Sequence, residues 1–235
     1  MTTKLIAALY GDAPRPALHG ATLHGAELHG AALRERLAAS GCTAVQVNVD
    51  DADVAAAMRF GPGDRAGRPI SAFVTVWTED TDSTLAILTG LGDGPHIYRV
   101  TEHRRLDPPA VPDGERADAL TNIAVLRRPD GMSQAEYLDY WLVHHTPIAI
   151  RTQATFGYIQ NVVEEALTDS APAVAAIVEE LFPMAAMTDT HAFYGSGGDD
   201  KELSRRFRAL MTSVARFGAG DGLDLVPTSR YRWTL

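Results

Sequence analysis

A single cysteine, Cys42, occurs in the 235 residues. That excludes an intrachain disulfide and a cysteine-cluster metal site, and it fits a reducing compartment such as the cytoplasm. Positive charge is also scarce: 21 Lys and Arg stand against 30 Asp and Glu, a net charge of −9. Such a surface offers no counter-charge to a nucleic-acid backbone. No apolar run approaches the ~20 residues of a membrane-spanning helix, and the opening MTTKLIAALYGDAPRP has too short an apolar core for a signal peptide. The sequence has no glycine-rich phosphate loop, no dinucleotide fingerprint after the first strand, no Ser-His-Asp signature and no His-Glu-x-x-His zinc motif. It therefore points to no nucleotide, flavin or metal cofactor and to no membrane or nucleic-acid partner.

What remains is a globular composition, 46% hydrophobic and 22% charged, too apolar for a disordered chain. The segment DPPAVPDGERAD (107–118) carries three prolines, which preclude a helix or a central strand. A linker over 107–117 thus separates a unit at 1–106 from one at 118–235. In the first unit, strands are expected at 4–10, 44–51, 71–80 and 96–106, with helices after the first and third. In the second, strands fall at 122–126, at YIQNVVEE (158–165) and at LVPTSRYRWTL. Residues 171–184 are ambiguous: Val174, Ile177, Val178 and Leu181 recur at helical spacing. Their place in the repeat matches 71–80, which favours a buried strand ended by Pro183. Helices follow near 189–195 and over 201–217. Each unit then reads β-α-β-β-α-β, the ferredoxin-like motif of an α+β protein.

Three histidines, His19, His24 and His29, recur every five residues in LHGATLHGAELHGAAL. On a helix such a step turns the side chain by about 140°, so the rings splay apart. They read as solvated residues of a glycine-weakened helix start, not as metal ligands. Lys201, Arg205, Arg206 and Arg208 read as a solvated helix face, and His103, Arg104 and Arg105 as the polar rim of an edge strand.

The stretch LRRPDGMSQAEYLDYWLVHHTPIAIRTQATFGYIQNVV (126–163) is the most informative. Ser133 with Glu136 forms a capping box that starts a helix, and Pro147 limits its end. Tyr137, Trp141 and His145 are spaced i, i+4, i+8 and drift by only about 40° per step, so they share one face. Two aromatics with polar handles and an imidazole make a wall able to hold a flat molecule and exchange a proton. His144 is rotated from His145 by about 100°. A histidine ending a helix also suits plain capping of the last carbonyls.

The pattern Tyr137-x-x-x-Trp141-x-x-x-His145-x-Pro147, after Arg127-Arg128-Pro129 and before Tyr158-Ile159-Gln160-Asn161, resembles the EthD-like family of the dimeric α+β barrel superfamily. The resemblance covers most of 118–235. Residues 1–106 resemble the same unit without the motif; counted back from the paired Gln46 and Gln160, Ala31 takes the place of His145. The resemblance implies two tandem ferredoxin-like units forming an intrachain α+β barrel, with a ligand cavity between sheet and helices of the second. It further implies a cofactor-independent enzyme of cyclase, dehydratase or isomerase type, acting on a hydrophobic, carbonyl-bearing or polyketide-like molecule. Under that implication His145 and Tyr137 are catalytic, while Trp141, His144, Tyr158, Gln160, Asn161 and His191 contact substrate. Gln160 and Asn161 point to opposite faces of their strand, so at most one lines the cavity. The alternative is a non-catalytic auxiliary protein presenting a ligand to an oxidase. A monomer with an internal pseudo-dimer, or a homodimer, satisfies either reading.

Overall fold

The computed structural model describes residues 2–11, 27–64 and 66–235. In the first half, β1 (Thr3–Tyr10), α1 (Ala31–Ala39), β2 (Cys42–Val49), β3 (Ile70–Thr78), α2 (Thr81–Leu88) and β4 (His96–Leu106) follow in order. The second half holds β5 (Leu120–Leu126), α3 (Gln134–Asp139), a π-helical turn at Tyr140–His145 and α4 (Thr146–Thr152). It continues through β6 (Gly157–Ala166), β7 (Ala176–Phe182), α5 (Thr190–Tyr194), α6 (Asp200–Arg216) and β8 (Asp224–Thr234). The segment with helical spacing at 174–181 is thus mostly the strand β7. His19 and His24 lie outside the described residues. His29 packs its ring on Tyr231 at 4.3 Å instead of standing in solvent.

The strands close into a barrel in the order β1-β3-β2-β8-β5-β7-β6-β4. Each half contributes a four-stranded antiparallel sheet in ferredoxin-like order, β4-β1-β3-β2 and β8-β5-β7-β6. The halves join through β2–β8 and β4–β6. Closure leaves no free sheet edge among the described residues. Strand β4 is therefore not an edge: Arg104 pairs with Glu102 at 2.6 Å, and Arg105 donates to Gln160 Oε1 at 2.8 Å. The proline-rich 107–117 segment does not hang free either. Its backbone bonds along β8, Gly114 N to Arg232 O at 2.9 Å and Ala117 N to Arg230 O at 2.9 Å. Gly114 has φ +81°, and a Cβ there would meet Trp233 Nε1 at 2.6 Å, so only glycine fits.

Strand alternation sorts the side chains. From β1, Ile6, Ala8 and Tyr10 enter the barrel, whereas Leu5, Ala7 and Leu9 face the helices. One end of the barrel interior is polar. Glu179 of β7 accepts from Lys4 Nζ at 3.1 Å, Gln46 Nε2 at 2.7 Å and Asn161 Nδ2 at 3.1 Å. The chain of bonds continues from Asn48 to Thr228 at 3.0 Å. Burial alone would raise the Glu179 carboxyl, but Lys4, Arg230 and Gln46 outweigh it and hold the group down at about 2.

Because Glu179 joins strands from both halves, Glu179→Ala should cost about 1–3 kcal/mol in urea unfolding, by taking the acceptor from Gln46 and Asn161 and one of two carboxylates from Lys4, which Glu102 still holds at 2.5 Å. A carboxyl depressed in the folded state stabilises above its unfolded value. Wild-type stability should therefore fall as pH drops from about 4.5 toward 2, and the alanine variant should lack that part of the slope.

Candidate functional site

The two halves differ in how helices meet the sheet. In the first, Leu33, Leu37 and Leu88 pack directly on Leu5, Val45, Val47, Val74 and Val76. In the second, the helices stand off and enclose a cavity of about 720 Å³. Its roof is the apolar stripe Leu203, Phe207, Leu210, Met211 and Val214 of α6, recurring at helical spacing. Its floor is the outer face of β5, β7 and β6, where small Ala124 and Val178 leave room. Four side chains at its rim are exposed apolar residues: Met58 and Phe60 from the first half, Phe207 and Met211 from α6.

Trp141 and His145 form one wall. The capping box is present: Ser133 Oγ accepts from Glu136 N, and the Glu136 carboxylate accepts from Ser133 N. Pro147, however, does not end the helix, which runs on to Thr152. The π turn just ahead of the proline opens the ring spacing where an α-helical carbonyl would clash with it. Thr146 Oγ1 takes up the Trp141 carbonyl at 2.9 Å. The imidazole of His145 is buried, lies 4.7 Å from the Phe217 ring, and has Nδ1 2.9 Å from Ser213 Oγ. Burial pushes its pKa down to about 4, so the ring is neutral at pH 7. It is therefore a weaker base than an exposed imidazole.

Across the floor runs a row of three polar side chains. Glu180 on β7 sits directly opposite Asn122 on β5 and directly opposite Tyr158 on β6. Opposed positions place neighbouring Cβ atoms about 5 Å apart. All three line the cavity. Asn122 Oδ1 is buried without a hydrogen-bond partner, and neither Glu180 nor the Tyr158 hydroxyl has one among the described residues. Glu180 is the one acidic or basic side chain among the described lining residues, apart from His145. Burial raises its carboxyl to about 8. Burial, with Glu180 second, pushes the Tyr158 phenol well above its ordinary value.

The remaining expected site residues are dispersed. Tyr137 is buried behind Trp141, packed on Phe217 at 5.6 Å, with its hydroxyl unpartnered among the described residues. It is not among the lining residues. His144 faces out, 59% exposed and 3.5 Å from Asp139, over a separate shallow depression. Gln160 is tied beneath the helices by Thr146 at 3.0 Å and by Arg105, while Asn161 points into the barrel toward Glu179. Neither lines the cavity. His191 lies on α5 but bonds Ser196 at 2.7 Å, whereas Thr190, Phe193 and Tyr194 of that helix reach the cavity. On α6, Arg205 and Arg206 clasp Glu202 at 2.6 and 2.7 Å.

Glu180 and Asn122 were not singled out from the sequence. The available signal was polarity inside runs buried on both faces: adjacent glutamates in AIVEELF must point to opposite sides, so one of them faces the helices. The pairing of Gln46 with Gln160 is out by one residue in face. Gln46 points into the barrel at Glu179 and Gln160 points out, so Ala31 is not the counterpart of His145. Among the described residues no group of three or more metal-ligating side chains occurs, and no helix is long and apolar enough to cross a membrane.

No protein-family model matches the sequence, and neither does any curated protein. By structure the chain is similar to an anthrone oxidase-like protein at 11% identity and a TM-score of 0.54, covering 99% of this chain and 92% of the other. Two proteins described as candidate monooxygenases, from Lactobacillus acidophilus and Fusobacterium nucleatum, align at 6% identity each. Their TM-scores are 0.46 and 0.49, with 99% and 98% of this chain covered and 95% and 92% of theirs. The likeness is one of fold: two ferredoxin-like units of an α+β protein, their eight strands closed into a barrel within one chain.

A carboxyl raised by folding costs stability once it ionises. Wild-type stability should therefore fall as pH rises from about 4.5 to 8, by a few kcal/mol. Glu180→Gln should flatten that slope and make the protein more stable than wild type at pH 9, as read by urea unfolding.

Proposed function

We propose that the protein is a cofactor-independent enzyme of the EthD-like type, acting by acid–base catalysis on a hydrophobic, carbonyl-bearing aromatic molecule. The observation that carries this reading is the cavity itself, large enough for a tricyclic compound and apolar except for a few convergent polar groups. Trp141 offers a flat face. His145, held neutral, serves as a hydrogen-bond partner to a ligand hydroxyl or carbonyl and orients it. Proton transfer without oxidation corresponds to a cyclisation, dehydration or isomerisation. The structural likeness to an anthrone oxidase-like protein supports a fused aromatic ketone as the substrate type. The sheet of residues 1–106 serves as scaffold: the row Ala7–Val74–Val47 on its outer face is apolar and covered, and this unit reaches the cavity only through Ala57, Met58 and Phe60 among the described residues. Since one chain completes the barrel, a monomer suffices.

A second reading is favoured by the exposed apolar rim, with Met58 73% exposed. Such a mouth suits a protein that carries a hydrophobic ligand and presents it to an oxidase. Calorimetric titration with anthrone distinguishes the readings when paired with product analysis. Binding together with conversion supports the enzyme, binding without conversion supports the carrier, and no binding removes both. Filling the floor with Ala124→Phe should weaken anthrone binding at least tenfold while leaving the circular dichroism spectrum unchanged.

A further inference from the structure

We infer that Asn122, Glu180 and Tyr158 form a proton-abstraction site for a carbon acid: an aryl ketone whose α-carbon gives its proton to the Glu180 carboxylate while the carbonyl oxygen is held by Tyr158 and Asn122. This deepens, and rests on, the reading of the cavity as a small-molecule site. It moves the proton transfer from the helix wall, where sequence spacing drew attention, to the sheet floor.

The geometry is that of three adjacent strands. Register sets Tyr158 and Asn122 on either side of Glu180, all on the face that lines the cavity. The row ends in apolar residues, Leu106 beyond Tyr158 and Pro227 beyond Asn122. Three polar groups without protein partners at the floor of an apolar hollow are costly unless a ligand completes their bonds. Their chemistry is complementary. The Tyr158 hydroxyl donates, the Asn122 amide donates once a half-turn brings its nitrogen instead of the unpartnered Oδ1 to the ligand, and the carboxylate accepts a proton.

In the step, the α C–H bond breaks and its proton passes to the Glu180 carboxylate. The C–H electron pair forms a carbon–carbon double bond, and the carbonyl π pair moves onto oxygen. Tyr158 and Asn122 hydrogen-bond the resulting enolate, where donors count most. Glu180, now a neutral acid, returns the proton to the same carbon or to another along the conjugated system. The ketone is restored or isomerised, and no oxidant is consumed. A carboxyl whose basicity burial has raised to about 8 is far better matched to a weak carbon acid than an ordinary glutamate. The titratable groups sharing its cavity are Tyr158 of β6, Tyr194 of α5 and His145 of the helix wall. None carries charge at pH 7, so the rate should rise with pH and level off above about 8.

The test uses 1-tetralone in D2O, with deuterium entry at the α-carbon followed by NMR and binding followed by calorimetry. Wild type should accelerate exchange over buffer. Glu180→Gln should lower the accelerated rate at least 100-fold with the dissociation constant changed less than threefold. Tyr158→Phe and Asn122→Leu should each lower kcat about tenfold or more with a smaller change in KM. Glu180→Asp, which keeps the carboxyl but withdraws it, should fall between wild type and Gln. If 1-tetralone binds but Glu180→Gln exchanges it at the wild-type rate, or if wild type binds it without accelerating exchange, this assignment is overturned while the small-molecule reading stands. If 1-tetralone and anthrone both fail to bind, both readings fall.

Discussion

The pleat of one strand governs this molecule. Adjacent residues of β7 leave the sheet on opposite faces, so two successive glutamates meet opposite environments. Glu179 turns into the barrel, where Lys4, Gln46 and Asn161 compensate its charge and hold its carboxyl at about 2. Glu180 turns outward into an apolar hollow with no hydrogen-bond partner among the described residues, and its carboxyl rises to about 8. The same functional group thus serves as a structural anion at one position and a poised base at the next. Nothing in intrinsic chemistry separates them, only the side of the sheet.

Closure of the barrel makes that difference sustainable. The Glu179 cluster draws ligands from β1, β2 and β6, so its bonds are also the seam between the two halves. With register fixed across that seam, the row Asn122–Glu180–Tyr158 cannot slip by a residue without exchanging every inward and outward side chain. The first half shows the opposite use of the same architecture. Its outer sheet face is apolar and its helices sit tightly on it. The standing-off of α6, together with small Ala124 and Val178 beneath it, opens space in the second half. The π turn at Tyr140–His145 carries the helix past Pro147 and sets Trp141 and His145 on the wall of that space.

Much of the architecture was legible from hydrophobic periodicity. Strands β1, β2, β3, β4 and β8 fall close to where alternating or apolar runs placed them, and the ferredoxin-like order follows from their spacing with the helices. Capping at Ser133 was legible because it depends on two residues three apart. The end of that helix was not: a proline normally stops a helix, and only the wide turn ahead of it relieves the clash. The site was legible in part. Trp141, His145 and Tyr158 line the cavity, whereas His144, Gln160, Asn161 and His191 do not. Helical spacing could find a stripe of residues on one element but not the residues that other elements bring opposite it.

By itself the sequence determined most element types, the tandem order of the two units and the lack of any cysteine framework, because these follow from local periodicity and composition. Tertiary structure alone decided which glutamate meets partners and which faces an apolar hollow, that the eight strands close into a barrel, and that this hollow opens over the sheet of the second half. Those outcomes depend on pairing register and helix stand-off between residues far apart in the chain, from 22 positions for Tyr158 and Glu180 to 175 for Lys4 and Glu179, and no local pattern encodes such distances.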